Sequence, residues 1–250
     1  MVIGGILLLI VAVICFFVAR SNASSLHAMN AAETYTAQLL TEVHRKITST
    51  LGADALVQVC EIEGVIECDS PLLGPVSQEA CVAYTYTQSR EYEERVTTTD
   101  SEGKRQTSVE RRSDQLKSED RRTRFYVRDA TGLTLVLPEG AELDLVESGN
   151  RFDEVQQPWS GATRTLGQSH VERSLAPGTQ VYILGCAINY GGVPAVARHP
   201  SDKKQRFLVS RQTERELASS AASWSRNLYY AAAVAGVVGV IVTVLGLITG

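Results

Sequence analysis

Residues 123–143 read TRFYVRDATGLTLVLPEGAEL, two short apolar runs interrupted by turn chemistry. Phe125, Val127, Leu133 and Leu135 fall at strand-like spacing. Asp129-Ala130-Thr131-Gly132 separates the runs, with Asp to bond local backbone and Gly where a positive φ costs nothing. Leu137-Pro138-Glu139-Gly140 then stops the second run, because Pro has no N–H to give a ladder. A strand, a tight turn and a second strand are therefore expected. The same pattern of Val, Ile, Tyr and Thr bounded by Gly, Pro and Asp marks residues 56–62, 81–88, 170–175, 181–188 and 207–210. Pro177-Gly178 turns the chain between two of these. Residues 89–122 are dense in Arg, Glu, Thr and Ser. They fit an exposed hairpin about Asp100-Ser101-Glu102-Gly103, and equally a mixed-charge loop. The soluble part thus spans 52–212 as a mainly β domain. A small antiparallel barrel or sandwich is expected, an OB-like barrel first.

Both ends of the chain are apolar. Residues 2–19 carry no charge and neither do 228–249, and each run can cross a hydrocarbon core of roughly 30 Å at about 1.5 Å per residue. The first run competes with a cleaved signal peptide, which wants a basic n-region that Met1 does not supply. Two transmembrane α-helices flanking the β domain are therefore expected. Arg20 after the first, and Trp224, Arg226, Tyr229 and Tyr230 at the start of the second, are the anchors expected in the headgroup layer. Residues 24–50 place Thr36, Leu39, Leu40, Val43 and Ile47 at helical spacing, which predicts a membrane-proximal helix or stalk. Residues 213–227 contain helix formers and no breaker, so they should connect the domain to the second span as one helix. Ala232 with Gly236, and Ala235 with Gly239, are small residues four apart that let helices approach closely in lipid. Either the two spans pack together or copies form a homo-oligomer.

The formal net charge of −4 comes from residues that alternate in sign, leaving no basic face for nucleic acid. The lipid bilayer and a protein partner are the expected contacts. No Gly-x-Ser-x-Gly, His-Glu-x-x-His, P-loop or dinucleotide fingerprint occurs, so no catalytic residue and no cofactor are expected. Cys60, Cys68 and Cys81 are buried thiols, or one of them joins a disulfide if the domain faces an oxidising compartment, or with His170 they are scattered metal ligands; spacing supports no metal. Asp129, Glu139 and Glu142 flank the two turns as a polar rim or as turn chemistry alone. Trp159, on a Gln-Pro-Trp-Ser-Gly loop, is a partner anchor or a packing residue.

Several ordered blocks resemble the GIDE domain, also called the BAM or beside-a-membrane domain, of membrane-anchored RING-type ubiquitin ligases of mitochondria and plastids. They are Cys60-Glu61-Ile62-Glu63-Gly64-Val65-Ile66, Glu79-Ala80-Cys81-Val82-Ala83-Tyr84, Phe125 through Gly132 with Pro138 through Leu143, Glu172-Arg173-Ser174-Leu175 with Pro177-Gly178, and Phe207-Leu208-Val209-Ser210 before the second span. In the eukaryotic members a RING finger follows that span. A RING needs about eight Cys or His ligands in close pairs, whereas this sequence has no Cys-x-x-Cys and its four histidines stand apart. The resemblance therefore implies a RING-less, prokaryotic-type relative. Its expected role is a membrane-anchored binding or scaffolding protein. A ubiquitin-ligase component working with a separate RING and E2 partner is the alternative, and a zinc or thiol enzyme a further one. Orientation is contested: Arg20 and Arg226 on the domain side place the domain in the cytoplasm, while the resemblance implies the intermembrane space.

Overall fold

A computed structural model describes residues 4, 7, 10–15, 17–18, 33–52, 55–99, 103–155 and 157–248. Strand β1 (Glu33–Thr34) precedes helix α1 (Ala37–Leu51); strands β2 (Val57–Glu67), β3 (Leu72–Leu73), β4 (Ala80–Cys81), β5 (Ala83–Thr99), β6 (Arg105–Arg122), β7 (Phe125–Arg128) and β8 (Leu133–Val136) follow. Then come β9 (Glu142–Leu143), β10 (Val146–Glu154), β11 (Thr163–Leu175), β12 (Gln180–Tyr190), β13 (Val193–Ala197), β14 (Leu208–Ser210) and helix α2 (Glu214–Ile248).

Five strands close on themselves. β2 pairs with β7, β7 with β8, β8 with β13, β13 with β12, and β12 returns to β2. Every pair in the ring is antiparallel except β8–β13. Closure leaves no free edge inside the ring, which is how small all-β domains hide their ladder groups. β2 pairs with β12 along residues 57–65 and with β7 along 65–67, so it must bend from one neighbour toward the other. Gly64 sits at that bend. A Cβ there would strike the carbonyl of Arg128 and the Val127 side chain, so the approach of β7 requires glycine.

Alternation along the strands fills the barrel. Cys60, Ile62 and Ile66 of β2, Phe125 and Val127 of β7, Val136 of β8, Val196 of β13, and Val181, Ile183 and Ala187 of β12 form one buried cluster. Leu40 of α1 joins it, with Val43 and Ile47 packed alongside. The helix is therefore docked on the barrel. Of the helix or stalk expected over 24–50, a helix forms over Ala37–Leu51 and its apolar stripe faces the core; residues 24–32 lie outside the described residues. Asp129 and Thr131 of the β7–β8 turn take the helix's first amides, and His44 Nε2 lies 2.8 Å from Asn189 Oδ1 near the β12–β13 turn.

The second sheet, in the order β10-β11-β5-β6, is made from two insertions. β3 to β6 interrupt the barrel between β2 and β7, and β9 to β11 interrupt it between β8 and β12. Val82 and Leu175 anchor its base in the core, whereas its far end is exposed. Of the two readings for residues 89–122, the hairpin is the one that forms. Its strands are longer than the sequence suggested because polar residues pair across them, as in Arg90–Asp114 at 2.7 Å and Arg112–Glu94 at 2.8 Å.

β14 runs directly toward α2. A capping box starts the helix: Thr213 Oγ1 accepts from the Glu216 amide at 3.3 Å, and Glu216 Oε2 accepts from the Thr213 amide at 3.0 Å. Arg226–Gly246, with a mean hydropathy of 2.2, is the one helical stretch among the described residues long and apolar enough to span a bilayer. The first expected span, 2–19, lies partly outside the described residues; those described in it are helical.

Candidate interaction site

One face of the four-stranded sheet carries an open cleft of about 740 Å³, a size suited to a ligand or a peptide segment. Phe152, Val155 and Leu166 give it an apolar floor; Glu91, Arg111 and Glu154 line it with charge of both signs. Strand alternation accounts for this grouping. Phe152 of β10 lies opposite Ser169 of β11, which lies opposite Ser89 of β5, so these positions share a face. Its ring crosses Gly167, where a Cβ would meet the ring at 2.5 Å. Gly167 thus lets an aromatic lie flat on the sheet. Phe152 nevertheless stays 50% exposed, an apolar surface without an internal cover.

The polar members are held, not loose. Glu91 Oε1 accepts from Ser113 Oγ at 2.8 Å and from Ser169 Oγ at 3.1 Å. Arg164 donates to Glu93 Oε2 at 2.6 Å from Nη2. Trp159, on the loop between β10 and β11, has two guanidinium groups over its ring, Arg95 at 4.0 Å and Arg164 at 5.3 Å from the ring centre. This cleft can bury an apolar side chain and pair its flanking charges.

The opposite face is sealed at its base by the turn between β3 and β4. Glu172 of β11 is fully buried there. Its Oε2 accepts from the amides of Val76 at 2.6 Å and Ser77 at 3.1 Å, and its Oε1 from the hydroxyls of Ser77 at 2.7 Å and Ser148 at 2.6 Å. Burial pushes this carboxyl up, but the hydrogen bonds outweigh it and hold it below the usual value. Farther along, the Tyr86 hydroxyl lies 2.8 Å from His170 Nδ1, and Asp153 Oδ2 lies 3.1 Å from Nε2. Tyr86 and His170 are both buried. With Asp153 they join β5, β11 and β10. Of these residues only His170 was singled out in the sequence, as a scattered metal ligand; Glu172 in the middle of an apolar-bounded strand was the available signal for the rest.

The residues singled out from sequence lie on separate elements. Asp129 Oδ2 accepts from the Ala37 amide at 2.7 Å, and its Oδ1 from the Thr131 and Gly132 amides at 2.6 and 2.9 Å. Burial raises this carboxyl, the hydrogen bonds lower it further, and the net is below its usual value. Asp129 therefore ties a turn to a helix terminus. Glu142, on β9, accepts from Arg206 at 2.8 Å, and Glu139 is exposed in the β8–β9 turn. Among the described residues no hydrogen bond joins Asp129, Glu139, Glu142 and Trp159 into one rim. All five cysteines are free thiols, with Cys60, Cys81 and Cys186 buried and Cys68 half-buried. Burial pushes the Cys60 thiol up to about 12 and Cys81 to about 11. Among the described residues no group of three His, Cys, Asp or Glu side chains could hold a metal. Trp224, Tyr229 and Tyr230 are exposed on α2 around the start of its apolar stretch; Arg20 lies outside the described residues.

A five-stranded barrel bearing a clefted second sheet and continuing into one helix long and apolar enough to cross a bilayer defines a mainly β protein. Residues 93–246 match the family model GIDE, described as E3 ubiquitin ligase. That is more than half of the sequence, and the chain belongs to the GIDE family. The match begins within β5 and runs to the end of the apolar stretch of α2, so the blocks at 60–66 and 79–84 precede it. No curated protein and no solved structure matches the chain.

Proposed function

We propose that the chain is a membrane-anchored recognition and scaffolding component of a ubiquitin-ligase system, with the RING chemistry supplied by a separate partner. The observation that carries this reading is the exposed Phe152 cleft on a rigid sheet of a GIDE-family protein. Its mixture of apolar floor and opposed charges suits a protein segment better than a phosphate or a small anion. The ring order β2-β7-β8-β13-β12, with one parallel pair, supports an OB-type barrel as the platform.

Two spans hold it. In support, the described residues of the first apolar run are helical, and a Cβ on Gly236 would lie 3.9 Å from that of Ala12, so a small residue lets the two segments touch. The domain faces the cytoplasm, since Arg226 begins the span on the domain side.

Purification of the full chain from detergent, in parallel with Phe152→Ala, tests the role. The wild type should recover a defined protein partner and an E2 or RING subunit, and the variant should lose the partner. Identical recovery by both, or ubiquitin transfer by the purified chain with E1 and E2 alone, overturns it. Labelling of an added cysteine at Glu139 in intact cells by an impermeant maleimide would overturn the orientation.

A further inference from the structure

β6 ends the four-stranded sheet, and its outer edge pairs with no described strand. Nearly every residue along it is exposed. A long bare edge invites pairing, and charge is the usual deterrent. On β6 the charges are ordered in a way that deters most pairings and favours one.

From Glu110 to Arg121 the strand reads ERRSDQLKSEDR. Set against a second copy running antiparallel, with the two-fold axis between Gln115 and Leu116, Glu110 meets Arg121, Arg111 meets Asp120, Arg112 meets Glu119, and Asp114 meets Lys117. Each pair occurs twice by symmetry. Every charge in the stretch faces its opposite, and Ser113 faces Ser118. Sliding the copies by two residues one way sets Glu110 against Glu119 and Arg112 against Lys117. Sliding them the other way sets Arg111 against Arg122, Arg112 against Arg121 and Asp114 against Glu119. Like charges directly opposed on strands repel, so one register is selected.

Directly opposed residues must also share a face of the sheet. In a regular strand, residues an odd number apart point to opposite faces, and this pairing would fail. The bulge in β6 removes the conflict: Gln88 pairs with Lys117 and Ser89 with Gln115, so Leu116 is the extra residue. Beyond it the alternation resets. Residues 110, 112, 114, 117, 119 and 121 fall on one face, and 111, 113, 118 and 120 on the other. The bulge thus sits at the centre of the charge pattern. Leu116, 52% exposed, stands beside the axis, where it would meet its symmetry mate. Arg111 and Arg121 make no ion pair among the described residues and would gain one.

We propose that the protein self-associates through antiparallel pairing of β6 from two copies, which joins two four-stranded sheets into one with both Phe152 clefts on the same face. Such an isologous contact closes after two subunits.

Cross-linking of the full chain in detergent tests this. Leu116→Cys should join efficiently through a short-spacer bismaleimide. Thr107→Cys, roughly 50 Å from its mate at the strand rise of about 3.4 Å, should behave like the chain with no added cysteine. Arg111→Glu with Arg112→Glu should lower the Leu116→Cys product about tenfold, since four opposed contacts change from attraction to repulsion. Adding Glu119→Arg and Asp120→Arg should restore it, which a misfolded strand would not allow. Equal cross-linking at 116 and 107, or failure of the charge swap to restore the product in a variant with unchanged melting, overturns the proposal. So does a dimer mass that the reversals leave unaltered, which would assign association to the apolar helices.

Discussion

Replacing Glu172 by Ala would leave the part-buried Val76 and Ser77 amides without their acceptor. Both amides and the Ser77 and Ser148 hydroxyls aim at this one carboxylate. The hydroxyls can turn to other acceptors; the amides cannot. Two orphaned part-buried donors, each at the lower end of about 1–3 kcal/mol, give a loss of about 2–3 kcal/mol. Glu172→Gln keeps the shape and one acceptor oxygen, and its amide can point at the rotatable hydroxyls, so about 1–2 kcal/mol should be lost with the charge. Equilibrium denaturation of the full chain in detergent, followed by near-ultraviolet circular dichroism, measures both. The pH dependence adds an independent reading. Because Glu172 titrates lower in the folded protein than its ordinary 4.5, its contribution is complete above the unfolded value and is lost as pH falls through the folded one. The wild type should therefore lose stability in acid more steeply than Glu172→Gln. A loss under about 1 kcal/mol for Glu172→Ala, or superimposable acid profiles for wild type and Glu172→Gln, would refute the assignment of this carboxylate as the pin of the β3–β4 turn.

Asp129→Ala should cost about 1–2 kcal/mol as a lost helix cap, with Asn recovering part of it, and amide exchange at residues 37–40 should accelerate first. Gly64→Ala should destabilise by about 2 kcal/mol or more, read as a lowered melting temperature, because the methyl group meets backbone at Arg128 and not a movable side chain. Of the four cysteines in the β domain, maleimide at neutral pH should modify Cys68 in the native protein and leave Cys60, Cys81 and Cys186 intact until denaturant is added, as mass spectrometry would show; burial raises all three of the latter thiols. Tyr86→Phe should cost about 1 kcal/mol in the same denaturation assay by removing the hydroxyl beside His170.

The strands with clear apolar alternation were legible, and so were the turns at 129–132 and 177–178, because a buried face and a positive φ each leave a local mark. β10 and β13 were missed. β10 reads VESGNRFDE, whose single aromatic packs across a glycine of its neighbour and not into a core, so it shows no periodicity. β13, VPAVA, carries a proline that argues against a strand, although its ladder partners tolerate it near the strand's start. The 24–50 stripe was legible as a helix, but helical spacing announces an apolar face without saying what covers it, so its docking on the barrel was not.

The sequence alone determined the β character of the domain, the two tight turns and the apolar helix at residues 226–246, all properties of contiguous residues. It also held the charge order of β6, though its meaning depended on a bulge that sequence does not display. Tertiary structure decided that five strands close into a ring, that α1 docks on that ring, and that two separate insertions meet to build the clefted sheet. It likewise decided that Asp129 caps a helix 92 positions away, and that Glu172 holds a turn 95 positions away. Those outcomes depend on which distant segments exchange hydrogen bonds and in what register, and no local propensity carries that information.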